Sequence, residues 1–83
     1  MFKAEIISGK DLKNLRESLG LELDDVHRFT KISPTVLETI EKDDIAHLPP
    51  LIYLKSFLKS YAEILQIDTN IIVAGYLANI GKG

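Results

Sequence analysis

The side chains with the most obvious capacity for chemistry in this sequence are two histidines and two pairs of neighbouring carboxylates. The carboxylate pairs are Asp24-Asp25 and Asp43-Asp44. Both pairs fall at predicted helix ends, where the ordinary roles of a carboxylate are capping and solubility. His27 and His47 fall in different predicted elements and the sequence has no cysteine, so no residues show metal-ligand or catalytic spacing. The sequence therefore predicts a protein that is not an enzyme and that uses no metal or cofactor.

His27 is the more informative histidine, because it lies on the second predicted helix between the core face and the third helix. A small residue at this position would let the two helices approach closely. We therefore expect the His27 imidazole to be half-buried and structural rather than a ligand. His47 is expected to be an ordinary loop histidine.

Residues 21–41, LELDDVHRFTKISPTVLETIE, are typical of two short helices joined by a tight turn. Many proteins read DNA with this arrangement, placing the N-terminal half of the second helix in the major groove. Thr35, Glu38 and Thr39 would face the bases. Of these three, only Glu38 has an obvious specific partner, the amino group of cytosine. Neighbouring basic groups would hold phosphates. The candidate DNA-binding residues are Arg28, Lys31, Thr35, Glu38, Thr39 and Lys42.

The charge of this segment disfavours DNA binding. Between Glu22 and Asp44 there are seven acidic and three basic side chains, which gives a local net charge of −4 in a chain whose net charge is −2. Protein–DNA affinity comes largely from neutralised phosphates, so an acidic reading head is at a disadvantage. DNA reading by the third helix therefore stays an alternative and not the leading hypothesis.

The fourth predicted helix, residues 51 to about 65, carries the competing signal. At about 100° per residue its apolar residues span about 180°, more than a surface helix of so small a domain needs. The surplus lies at the edge that holds Tyr53, Phe57 and Ile64, while Lys55 and Lys59 line the opposite edge. These aromatics are either ordinary core, covered by the fifth helix or the N-terminal arm, or the anchors of a protein-binding surface.

Local signals predict five helices that position these residues. Ser8 and Asp11 form a capping-box pattern, and Gly20 suits a left-handed helix end. Ser33-Pro34 begins the third helix, Pro49-Pro50 separates the third from the fourth, and Asp68 caps the fifth. The side chains of Ile45 and Leu48, in the loop before the fourth helix, are expected to be buried in the core. The predicted organisation is an arm or short edge strand over residues 1–8 and one helix-turn-helix domain over residues 9–83.

The bulk composition fits one small globular domain of 83 residues, of which 46% are hydrophobic and 27% charged. The longest uncharged run near the end, residues 69–81, is shorter than the ~20 residues that cross a bilayer. The N-terminus lacks a basic segment followed by an apolar one. We therefore expect a soluble, cytoplasmic segment that makes no membrane contact of its own.

Residues 10 to about 77 resemble the cytoplasmic helix-turn-helix domain of RodZ-like bacterial cell-shape proteins. The resemblance is carried by LKNLRESLGLELDDV, TKISPTVLETIE, DIAHLP and YLKSFLKSYAEIL. It implies an all-α, compact five-helix bundle of the lambda-repressor-like type. It also implies binding of the actin-like protein MreB through aromatic residues of the fourth helix, and the matching positions here are Tyr53 and Phe57. Two departures, His27 where the family usually has alanine and Phe29 where it is usually polar, imply looser packing of the second helix on the third.

Three functional hypotheses follow. The first is a non-enzymatic module that binds a protein partner, by resemblance an actin-like filament, through Tyr53 and Phe57, with Ile64 as apolar support and Lys55 or Lys59 as rim charges. The second is a DNA-binding regulator, and the third a small dimerisation module. Because RodZ-like proteins continue through a basic segment into a transmembrane helix, the domain would be tethered to the inner membrane if the full-length protein continues beyond residue 83.

Overall fold

The computed structural model describes residues 5–82 and contains five α-helices. They are α1 (Gly9–Ser18), α2 (Leu23–Thr30), α3 (Pro34–Glu41), α4 (Leu51–Leu65) and α5 (Thr69–Asn79), with a 3₁₀ turn (Ile45–His47) between α3 and α4. The all-α architecture with a helix-turn-helix is as predicted.

The helix ends follow the local signals of the sequence. The Ser8 hydroxyl accepts from the Asp11 amide while the Asp11 carboxylate accepts from the Ser8 amide, which completes the capping box. Gly20 follows α1 with φ +72°, a conformation that costs glycine little. Ser33 accepts from the Val36 amide at 3.2 Å, and Asp68 caps α5 through the Asn70 amide. These caps confirm the predicted helix starts.

Helix α4 packs against both α5 and α2, while α3 packs against α1 and α2. The largest fully buried side chains come from all five helices: Leu12, Val26, Leu37, Ile40, Leu54, Leu58, Tyr61, Ile72 and Tyr76. Gly9 permits the close approach of α1 to α3, since a Cβ atom there would overlap the backbone of Ile40 and Glu41. The helix-turn-helix and α4 therefore share one core.

The segment before α1 lies across α5. The Ile7 amide donates to the Gly75 carbonyl at 3.1 Å, and the absence of a side chain at Gly75 leaves room for Glu5 and Ile7. Residues 5–7 form no strand. The rest of the predicted arm or strand, residues 1–4, lies outside the described residues.

The loop before α4 differs from the prediction at one residue. Leu48 is half-buried against the core as expected, whereas Ile45, expected to plug the loop into the core, is an exposed side chain. The 3₁₀ turn is only three residues long, and it turns Leu48 rather than Ile45 toward the interior. Ile45 is left on the surface beside the start of α4.

Candidate interaction faces on helices α3 and α4

The first turn of α4 presents apolar side chains to solvent. Leu54, Leu58 and Leu65 define the buried face of the helix. At about 100° per residue, Tyr53 and Ile52 fall progressively further from that face. Tyr53 is 58% exposed and Ile52 75% exposed. An apolar surface therefore surrounds the N-terminal end of α4.

Phe57 and Ile64, which share an edge of α4 with Tyr53, are half-buried and pack against the core. They thus combine the two roles that the sequence left open, since part of each side chain belongs to the core and part reaches the surface. Tyr53 is the exposed apolar group of this edge, and Phe57 lies one helical turn behind it.

Lys55 and Lys59 are exposed on the other edge of α4, one helical turn apart. Within residues 5–82 neither ammonium group forms an ion pair with a carboxylate. Both charges are therefore available to an external partner.

Ile52 is a surface residue that the sequence analysis missed. On a helical wheel it falls between Lys59 and Glu63, outside the continuous apolar arc. The sequence did contain a signal for it, because Ile52 is a lone isoleucine on the polar side of the α4 helical wheel. Such a residue is a candidate for contact with a partner. Leu51, placed inside the arc from the sequence, is also exposed.

The candidate base-reading residues lie on one helix, α3, but are partly engaged with one another. Thr35 and Glu38 are exposed, whereas Thr39 is half-buried and its hydroxyl donates to the Thr35 carbonyl at 2.9 Å. The Glu38 carboxylate lies 3.7 Å from the Lys42 ammonium group. The face is polar and carries little net positive charge.

The candidate phosphate-binding residues on α2 are similarly occupied. The Arg28 guanidinium lies 3.0 Å from the Asp24 carboxylate and 3.4 Å from that of Asp25. Lys31 is exposed at the left-handed C-cap of α2, with φ 65°. Pairing within the domain thus reduces the attraction of Arg28 for an external phosphate.

Glu41, counted among the acidic residues of the helix-turn-helix, is buried and does not contribute to its surface. The Arg16 guanidinium donates to both Glu41 carboxylate oxygens at 2.8 and 3.0 Å, and also to the Leu21 carbonyl. The Tyr61 hydroxyl donates to the same carboxylate. Without Glu41, residues 22–44 contain six acidic and three basic side chains, so the surface of this segment still has a net negative charge.

This network links α1, α3 and α4 and raises the pKa of Arg16 and of Tyr61. Its hydrogen bond with Glu41 holds the pKa of Arg16 above the ordinary value. Burial raises the pKa of Tyr61, and the hydrogen bond to Glu41 raises it further. The Arg16 guanidinium therefore stays charged beside the Glu41 carboxylate, and the Tyr61 hydroxyl that donates to this carboxylate stays neutral.

The burial of the two histidines is as predicted. His27 is half-buried, and its Nδ1 lies 2.8 Å from the Ile32 carbonyl, which ties α2 to the turn before α3. His47 is exposed beside Asp44. Among residues 5–82 there is no cluster of three or more histidine or acidic side chains with metal-binding geometry.

Comparison with known proteins agrees with this architecture. The family model described as a helix-turn-helix domain matches residues 11–72. The cytoskeleton protein RodZ of Streptococcus pneumoniae is 38% identical over 68 residues, which are 82% of this chain and 25% of that protein. An uncharacterised protein of Haemophilus influenzae is 31% identical over 64 residues, covering 76% of this chain and 21% of its own length.

A solved structure of YmfM from Staphylococcus aureus, described as a candidate DNA-binding membrane protein, superposes with a TM-score of 0.73 at 30% identity. The match covers 89% of this chain and 87% of that one. The fold and the sequence together define a bacterial helix-turn-helix domain. The chain belongs to the RodZ-like helix-turn-helix family.

The chain spans about a quarter or less of the length of the curated relatives that it matches. None of the helices in residues 5–82 is both long and apolar enough to span a membrane.

Proposed function

We propose that this domain is a non-enzymatic docking module that binds a protein partner, an actin-like filament protein, through α4. The observation that carries the proposal is the 58% exposure of Tyr53 on a helix whose other face is buried in the core. A large aromatic side chain with few rotatable bonds provides contact area at low entropic cost and is enriched at binding hot spots. The likeness to the pneumococcal cytoskeleton protein RodZ supports the choice of a cytoskeletal partner.

In this proposal Tyr53 is the anchor, and the accessible parts of Phe57 and Ile64 extend its contact along the same edge. Lys55 and Lys59 are rim charges that accelerate encounter with an acidic partner more than they hold the complex. The domain acts at the cytoplasmic face of the inner membrane when the full-length protein continues into a membrane anchor.

The test compares two exposed aromatic side chains. Tyr53→Ala should weaken binding to the organism's actin-like protein by about 2 kcal/mol, as truncation of a hot-spot residue does. Phe29 on α2 is exposed to the same degree, 60%, and Phe29→Ala should leave the affinity unchanged. Isothermal titration calorimetry measures both. Equal affinities for wild type and Tyr53→Ala would refute the proposal.

Phe57 needs a different substitution, because its packing against the core makes Phe57→Ala a stability variant as well as a binding variant. Phe57→Leu keeps most of the buried volume while removing the ring. We expect it to weaken binding by about 1 kcal/mol, with a thermal midpoint near that of the wild type.

The second candidate is DNA binding by α3, and the specific observation in its favour is the likeness to YmfM, which is described as a candidate DNA-binding membrane protein. The exposed Thr35 and Glu38 would face bases, and Arg28, Lys31 and Lys42 would contact phosphates. Such binding must strengthen as salt is lowered. Fluorescence anisotropy with random duplex DNA at low salt tests it, and Lys31→Glu should abolish any binding that uses this face.

The third hypothesis, self-association through Tyr53 and Phe57, competes for the same edge of α4. Sedimentation velocity over a concentration series detects it. A dimer that Tyr53→Ala dissociates would assign the face to a second copy rather than to another protein.

A further inference from the structure

A second apolar feature lies at the corner where the 3₁₀ turn, the start of α4 and the end of α5 meet. It is a groove of about 280 Å³. We call it the corner groove, and its lining includes Ile45, Leu48, Leu51, Leu54, Ile80 and Lys82. The exposed Ile45 and Leu51 form its outer part, and the buried Leu54 lies at its base. A cavity of this size accommodates one or two apolar side chains of a partner.

The corner groove is continuous with the proposed α4 face. At about 100° per residue, Leu51 and Tyr53 lie on opposite sides of the first turn of α4, and Ile52 lies between them. Ile52 is 75% exposed. A partner that contacts Tyr53 can therefore reach the groove across Ile52 in the first turn of α4.

Lysine side chains lie at the groove and on the adjoining turns of α4. Lys82 lines the groove, and Lys55 lies one helical turn beyond Leu51, with Lys59 a turn further. Among the described residues, no acidic side chain lines it. The acidic Asp44 precedes Ile45, but its carboxylate is engaged by His47, whose Nδ1 lies 3.0 Å away. This pattern selects an occupant that is apolar at its centre and acidic at its edges.

We infer that the corner groove receives an apolar side chain from an acidic segment of the protein partner, with carboxylates placed opposite Lys55, Lys59 and Lys82. The inference rests on the proposed function for the identity of the partner. It adds a second contact site and defines the chemistry of the segment that fills it.

The first test uses matched isoleucines in the full chain. Ile45 is 56% exposed at the groove, and Ile71 is 54% exposed near the start of α5, where it does not line the groove. Ile45→Asp introduces a charge that repels an acidic segment, and it should weaken binding to the actin-like protein at least about tenfold. Ile71→Asp should change it less than about twofold. Loss of binding in Tyr53→Ala with unchanged binding in Ile45→Asp would overturn the groove while leaving the proposed function standing.

The second test does not need the actin-like protein. It therefore shows whether the corner groove binds an acidic segment even if the actin-like protein does not bind the domain. A short peptide with central leucines flanked by glutamates is titrated into the isotope-labelled domain, beside a control peptide flanked by lysines. The glutamate peptide should shift the amide resonances of Ile45, Leu51 and Ile80, and Ile45→Asp should remove these shifts. Equal responses to the two peptides, or none at the groove, would overturn the inference. A dimer that Ile45→Asp dissociates would also overturn it, because the occupant would then be a second copy.

Discussion

At the scale of the residue, the most consequential group is the buried Arg16–Glu41 pair with the Tyr61 hydroxyl. From the sequence, Glu41 was counted among the acidic surface residues. Its partner Arg16 lies 25 positions away, so no local spacing pattern indicates that the two side chains pair. A weaker signal existed. Arg16 follows Leu12 by four positions, and Glu41 follows Leu37 by four, so each charge falls on an apolar helical face. Charges on apolar faces of two helices that pack together indicate a buried pair.

Removing one charge of this pair should be costly, because the remaining charge is left in the core without a partner. We expect Glu41→Gln to lower the free energy of unfolding by about 3 kcal/mol. The matched control is Glu38→Gln on the same helix, whose exposed ion pair with Lys42 is worth less than about 1 kcal/mol. Urea unfolding followed by circular dichroism measures both. Similar losses in the two variants would show that Glu41 contributes no more than a surface charge.

At the scale of the element, helix bounds were predictable because caps are local. Ser33-Pro34, Pro49-Pro50 and Asp68 each act within a few residues of their own position. Burial at the edges of α4 was not predictable in this way. Whether Phe57 is covered depends on neighbouring helices, and whether Ile45 enters the core depends on how Leu48 fills the available space. Periodicity identified the apolar edge of α4 but not how much of it the bundle covers.

The contact between α1 and α3 depends on the missing side chain of Gly9. Gly9→Ala should cost about 3 kcal/mol, since its Cβ atom would overlap the α3 backbone and force the helices apart. At Gly20 a Cβ atom meets open space but φ is +72°, so Gly20→Ala should cost only about 1 kcal/mol. Thermal unfolding of the two variants compares them. A smaller loss in Gly9→Ala than in Gly20→Ala would contradict the close approach.

At the scale of the whole molecule, an acidic helix-turn-helix segment is followed by an α4 whose first turn is apolar and whose next turns carry Lys55 and Lys59. Net charge alone, −2 for the chain, conceals this division. The charge count along the sequence revealed the acidic half. The basic rim of the corner groove required the fold, because Lys82 approaches Leu51 only when the end of α5 packs beside the start of α4.

Burial of two tyrosines makes global stability fall at high pH. Burial raises the pKa of both Tyr61 and Tyr76. The unfolded chain therefore loses these protons first, so their contribution to stability is complete below about pH 10 and declines above it. Each tyrosine should contribute a decline of up to about 1.4 kcal/mol per pH unit. Urea unfolding of wild type and Tyr76→Phe at about pH 9 and pH 11 measures it. Parallel pH profiles for the two proteins would contradict the assignment.

The central claim is that α4, and not α3, is the working face of this helix-turn-helix domain. The most direct measurement is a cross-saturation NMR footprint of the isotope-labelled domain bound to the organism's actin-like protein. We predict strong saturation transfer to the amides of Ile52, Tyr53 and Ser56 and little to those of Thr35, Glu38 and Thr39. A footprint centred on α3, with α4 unaffected, would contradict the account.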